Sequence, residues 1–167
     1  MTIKIGSNTF NNGGTAKYNT NDLKSIKWGS AEVWKKQMSL TGGSVSWNNT
    51  TTSQTKVYCT WTGLGGFSTL TIPFSGSLTN SCNTYTSDSC TVRIQLKFND
   101  NTTKTIATYS GKGTAFSGST TFTVDISGYS DSQLSSVKVQ AYGTFSYSDA
   151  TNRYTYNNTT VGTSTAS

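Results

Sequence analysis

The run Val92-Arg93-Ile94-Gln95-Leu96-Lys97-Phe98 puts an apolar residue at every second position, with Arg93, Gln95 and Lys97 between them. A period of two belongs to a strand with one face against a core and the other toward water. Asn99-Asp100-Asn101 follows, and Lys104–Tyr109 then resumes a strand-like composition. Turn residues between two such runs predict a hairpin.

The same alternation recurs on both sides. Val57, Cys59 and Trp61 are expected inward and Lys56, Tyr58 and Thr60 outward. Leu70, Ile72 and Phe74 alternate with Thr69, Thr71 and Pro73, and Pro73, which has no N–H to give a ladder, predicts an edge strand. Phe122, Val124 and Ile126 form another inward set. Val137, Val139, Ala141, Gly143, Phe145 and Tyr147 form a longer one, with Lys138, Gln140, Tyr142 and Thr144 outside. Met38–Leu40 and Val45–Trp47 add two short strands, and Gly128–Leu134 reads as a connection with one helical turn. Arg153–Asn157 reads as the last strand and Thr159–Ser167 as a polar tail. Each strand has one polar and one apolar face, as in antiparallel sheets. The expectation is all-β: an antiparallel β-sandwich over residues 37–167, jelly-roll or immunoglobulin-like.

Residues 1–36 read differently. Thr2–Ile5 is a short strand, and Leu23–Trp28 and Ala31–Lys36 flank Gly29-Ser30, a tight-turn pair. A two-residue loop would set Trp28 against Ala31, Lys27 against Glu32 and Ile26 against Val33, with Trp34 beside the Lys27–Glu32 charge pair. Such a hairpin is marginal alone in water and must pack on something. The segment is too short for its own core, so it reads as a small β-hairpin module for attachment, with Ile26, Trp28, Val33 and Trp34 as its docking residues.

Composition narrows the function. Charged residues are 12% and aromatic residues 12%, which is not the balance of a disordered chain. The net charge is +6, of which residues 1–36 supply +4 from six lysines against Asp22 and Glu32. Only Arg93 and Arg153 are arginines and the lysines are scattered, so no nucleic-acid footprint is expected. No apolar run is long enough to insert into a membrane, no secretory signal is visible, and the Asn-x-Thr triplets read as turn residues.

Histidine is absent, which removes the commonest general base and zinc ligand. The seven carboxylates are isolated; Asp88, Asp100, Asp131 and Asp149 sit in turn-like segments. Gly111-Lys112-Gly113-Thr114 lacks phosphate-loop spacing and reads as a turn. No catalytic residue, metal site or cofactor is expected. Cys59 reads as a buried thiol, while Cys82 and Cys90 bracket a loop that either closes as a disulfide or stays reduced. Binding is the remaining chemistry, because outward aromatic rings stack on sugars or partner side chains. The candidates are Trp47, Tyr58, Tyr142, Tyr154 and Tyr156.

Two resemblances bear on this. Lys24-Ser25-Ile26-Lys27-Trp28-Gly29-Ser30-Ala31-Glu32-Val33-Trp34-Lys35 resembles a short motif of structural proteins of tailed bacteriophages, from tail, tail tip and fibres. Phe122-Thr123-Val124-Asp125-Ile126-Ser127-Gly128-Tyr129 with Leu134-Ser135-Ser136-Val137-Lys138-Val139 resembles the closing strands of jelly-roll carbohydrate-binding modules. The first implies a non-enzymatic virion protein assembled in the host cytoplasm, with other virion proteins and further copies of itself as partners. Both allow host surface polysaccharide as a ligand, and the second alone implies a bacterial carbohydrate-binding module.

Overall fold

The computed structural model describes the chain apart from residues 1, 6–7, 12–16, 19–20, 23–24, 29–30, 51, 82–88, 112 and 147–153. For residues 2–35, and for 49–50, 81, 89, 146 and 154, only backbone pairing is described.

The N-terminal part forms three antiparallel ladders of two strands: β1 (Thr2–Ile5) with β2 (Asn8–Asn11), β3 (Lys17–Tyr18) with β4 (Asn21–Asp22), and β5 (Ser25–Trp28) with β6 (Ala31–Lys35). The last is the hairpin expected from sequence, and Trp28↔Ala31 and Lys27↔Glu32 pair as expected. Beyond them the register shifts, so Ile26 faces Trp34 rather than Val33. A bulge on β6 accounts for this, with Val33 as the extra residue.

Ten further strands follow: β7 (Met38–Leu40), β8 (Gly43–Thr50), β9 (Gln54–Thr62), β10 (Thr69–Ser81), β11 (Ser89–Phe98), β12 (Thr103–Ser110), β13 (Gly113–Asp125), β14 (Ser136–Ser146), β15 (Tyr154–Val161) and β16 (Ser164–Ala166). The helical turn expected in Gly128–Leu134 is present as a 3-10 turn, Gln133–Ser135. The eight longer strands from β8 to β15 pair first with last, working inward: β8 with β15, β9 with β14, β10 with β13 and β11 with β12. This is one long hairpin with its tip at residues 99–102. It wraps on itself through two more pairings, β10 with β15 and β11 with β14. The result is a four-stranded sheet, β12-β11-β14-β9, facing a sheet in which β13, β10, β15 and β8 follow in order. Two interleaved Greek keys of this kind make a jelly roll, which decides between the two sandwich types. The short β7 and β16 complete the six-stranded sheet, β16 pairing with both β7 and β10.

At the tip Asn101 adopts φ 68, a left-handed value that asparagine tolerates, and its N–H bonds to the Phe98 carbonyl at 3.0 Å. The period-two residues Val92, Ile94, Leu96 and Phe98 are buried, and Val137, Val139 and Ala141 meet them from β14. Opposite, Leu70, Ile72, Phe74 and Leu78 of β10 supply the other wall. Phe74 lies at the centre, its ring 5.2–6.5 Å from those of Tyr58, Tyr109, Phe116 and Phe122.

Three expectations are corrected. Between Val139 and Gln140 the β14–β9 register slips, so Val139 faces Cys59 and Gln140 faces Val57, which makes Tyr58 a bulge residue. The bulge inverts the alternation: Tyr58 turns into the core and Val57 is 45% exposed. Pro73 lies on a central strand, not an edge. Its carbonyl accepts from the Gly162 N–H at 2.9 Å, on the side where β15 has ended and β16 has not begun. Its missing donor therefore costs no ladder bond. Finally, the expected polar tail is β15 and β16, with Thr159, Val161, Ser164 and Ala166 buried.

Candidate functional site

Strand alternation fixes what the outer face of the four-stranded sheet carries. Cross-strand pairing aligns three rows across it, strand by strand from β9 to β12: Thr55, Tyr142, Arg93, Thr108; then Val57, Gln140, Gln95, Thr105; then Thr60, Lys138, Lys97, Thr103. The middle row is knitted together. Gln140 Nε2 donates to Gln95 Oε1 at 3.3 Å, and Gln95 Nε2 donates to Thr105 Oγ1 at 3.2 Å. Although these glutamines face outward, they are only 7% and 8% exposed. They form the floor of a depression of about 300 Å³, with Thr55, Tyr142, Lys97, Asn101 and Thr103 around it.

Charge is divided between the two sheets. In the described strands of the jelly roll every lysine and arginine (Lys56, Arg93, Lys97, Lys104 and Lys138) lies on the four-stranded sheet, and no carboxylate does. The six-stranded sheet carries Asp125 as its one charged side chain among the described residues. Its outer face is lined by hydroxyls, including a depression of about 420 Å³ bordered by Pro73, Ser75, Ser119, Thr120, Thr121 and Gly162. Two of the described aspartates are engaged at turns. Asp100 accepts from Thr102 N–H and Oγ1 and from Gln133 Nε2 at 2.6–3.0 Å, and Asp125 accepts from Ser127 N–H and Oγ at 2.7–2.8 Å. These bonds, first those from the Thr102 and Ser127 hydroxyls, hold both carboxyls below the usual aspartate range.

Of the sequence candidates, Tyr142 alone belongs to this depression. Tyr58 is not available to a ligand: it is buried, and its hydroxyl lies 2.6 Å from Thr159 Oγ1. Burial pushes its pKa up to about 12, against the hydrogen bonds from Thr159 and Asn157. Trp47 is likewise buried, edge-on to Phe145 at 6.4 Å, because β8 directs it between the sheets. Tyr156, 38% exposed, lies on β15 of the other sheet. For Tyr154, and for Ile26, Trp28, Val33 and Trp34, only backbone pairing is described. Cys82 lies outside the described residues, and with it the choice between a bridge to the buried Cys90 and a reduced pair; Cys59 is a free thiol whose pKa burial raises to about 11.

Sequence reading overlooked Gln95, Gln140, Arg93, Lys97 and Lys138 as a group. All five stand at outward positions of clean period-two runs, but their adjacency appears only once β11 and β14 are known to pair.

No family model and no curated protein matches the chain. Among solved structures it is similar to the infectious bursal disease virus Gx strain, at 11% identity and a TM-score of 0.40, over 91% of this chain and 40% of that one. It is also similar to the Gt strain, at 15% identity and a TM-score of 0.42, over 92% of this chain and 38% of that one. The chain thus spans about two fifths of the length of these structures. The jelly-roll assignment rests on the strand order alone.

Proposed function

We propose that the chain is a non-enzymatic structural protein of a virus particle of the tailed-bacteriophage kind, in tail, fibre or head fibre. It docks through residues 1–36 onto other virion proteins and displays the jelly roll of residues 37–167 outward, where the sandwich contacts host surface glycan. The observation that carries this reading is the partition of strand pairing. Among the described residues the three N-terminal ladders pair only within themselves, while β7 to β16 wind into sheets of their own. An element that shares no sheet with the domain behind it is suited to be completed by another protein. The motif at residues 24–35 supports the phage assignment, and its hairpin pairs Trp28 with Ala31 and Lys27 with Glu32. The lack of histidine supports a role without catalysis.

The test is incorporation. Mass spectrometry of purified virions should find the intact chain, and Trp28→Ala with Trp34→Ala should abolish its incorporation while leaving the sandwich folded. Absence of the chain from every particle would end this reading.

A second reading, a bacterial carbohydrate-binding module, is favoured by the depression beside Tyr142. It predicts that glycan binding is the whole activity and that no particle contains the chain.

A further inference from the structure

We infer that the outer face of the four-stranded sheet is a binding site for an acidic polysaccharide, one whose sugar rings carry carboxylates. The inference rests on the reading that the displayed jelly roll contacts a glycan, and it names the chemical class of that glycan.

The first observation is a like-charge pair. Lys97 and Lys138 are direct cross-strand partners on the same outer face, and their row is completed by Thr103 and Thr60 without a carboxylate. Like charges directly opposite one another destabilise a sheet, so folding alone gives no reason for this pair. Arg93 lies on the same strand two rows away, beside Tyr142. Among the described residues the face therefore presents three cations with no anion between them, while the opposite sheet presents hydroxyls. This segregation gives one side of the domain a positive field, which draws in a polyanion.

The second observation is the floor. Gln95 and Gln140 are more than nine-tenths buried, yet they turn their carboxamides into an open depression and not into the core. Their mutual hydrogen bond fixes the orientation of both, so their remaining polar edges are set in advance for a hydroxyl-bearing ligand. Tyr142 stands at one end of the depression as the platform on which a sugar ring stacks, and Lys97 stands at the other. From Tyr142 to Lys138 along β14 is about 13 Å at ~3.3 Å per residue, a length that calls for a chain of sugars more than a single ring.

A nucleic acid is the competing polyanion. It would be met by a series of aromatic rings along a groove, whereas Tyr142 is the one aromatic side chain in the three rows. Fixed amides beside a single ring and spaced cations suit sugar hydroxyls and carboxylates better.

The experiment is affinity electrophoresis or calorimetry of the full chain. The acidic polysaccharides are polygalacturonate, alginate and hyaluronate. The neutral ones are methyl-esterified pectin and dextran, and a single-stranded DNA oligonucleotide is the polyanion control. The expected result is binding to at least one acidic polysaccharide and at least tenfold weaker binding to all the neutral ones. Lys97→Gln with Lys138→Gln, and separately Tyr142→Ala, should each weaken binding at least tenfold while the variant stays folded, the lysine pair's removal raising thermal unfolding and not lowering it. Equal binding to neutral and acidic polymers overturns the acidic class and leaves the glycan reading standing. No binding to any polysaccharide overturns both. DNA binding as tight as that of the best polysaccharide, or indifference to Tyr142→Ala, reduces the face to a charge patch and refutes the site.

Discussion

Thr159→Val tests a hydrogen-bonded chain that crosses the jelly-roll core. Asn157 Oδ1 can only accept, so the Thr159 hydroxyl, 2.5 Å away, donates to it. The Thr159 oxygen then accepts from the Tyr58 hydroxyl at 2.6 Å. All three residues are buried. Valine keeps the shape of threonine and removes the middle link, so the Tyr58 hydroxyl and Asn157 Oδ1 both lose Thr159 and keep only each other. At about 0.5–1.5 kcal/mol for each of the two buried hydrogen bonds lost, the loss is about 1–3 kcal/mol. Tyr58→Phe removes only the first link, and Thr159 still donates to Asn157, so its cost is about 0.5–1.5 kcal/mol. For a domain of this size each kcal/mol moves Tm by roughly 3–5 °C. Denaturant unfolding of the wild type, the two single variants and the double variant forms a cycle. In the double variant Asn157 Oδ1 alone is orphaned, so its loss should fall short of the sum of the singles. If Thr159→Val costs no more than Tyr58→Phe, the relay does not carry the stability assigned to it.

Alkaline stability follows from the same tyrosine. Its pKa rises from the ordinary 10.0 to about 12 on folding, so its contribution is complete below pH 10 and is lost as pH climbs to about 12. Tyr58→Phe should therefore unfold less steeply than wild type across that window, in a urea midpoint series against pH; parallel curves would contradict it. Gly76 and Gly118 face each other across β10 and β13 with φ of 121° and 114°. A Cβ on Gly76 would meet the Asn158 carbonyl oxygen at 2.2 Å, whereas one on Gly118 meets nothing within 4 Å. Gly76→Ala should thus prevent folding or cost more than about 3 kcal/mol, and Gly118→Ala only the ~1–2 kcal/mol of a left-handed backbone, as read by thermal unfolding. Asn80 is fully buried with neither side-chain polar atom bonded to protein. Asn80→Leu should be neutral or raise stability by about 1–2 kcal/mol in chemical denaturation, and a clear loss would reveal a role for the amide.

The sandwich was legible because two inner strands, over Val92–Phe98 and Val137–Phe145, alternate without interruption. What escaped was set by pairing between strands distant in sequence. The inversion at Tyr58 is a bulge against β14, which no local pattern of Val57, Cys59 and Trp61 announces. The strands over Thr159 and Ala166 looked like a tail because the inward positions of β15 hold threonine and asparagine, made tolerable by the hydroxyl of Tyr58. Pro73 misled because an edge was inferred from a missing donor, whereas the gap between β15 and β16 serves as well. For the candidate site, Tyr142 was readable from alternation. The amide floor and the lysine pair needed the knowledge that β11 lies beside β14.

The first-with-last pairing also sets a timetable for synthesis. The hairpin tip at residues 99–102 closes its pair within a few residues of leaving the ribosome, but Met38 waits for Ala166 and Val45 for Thr159. At about 5–20 residues per second the early strands stand without partners for roughly 6–25 s. The described ladders of the N-terminal part pair strands close in sequence and are subject to no such delay. Local pairing is thus complete at the N-terminus first and in the sandwich last, once Ala166 has emerged to meet Met38.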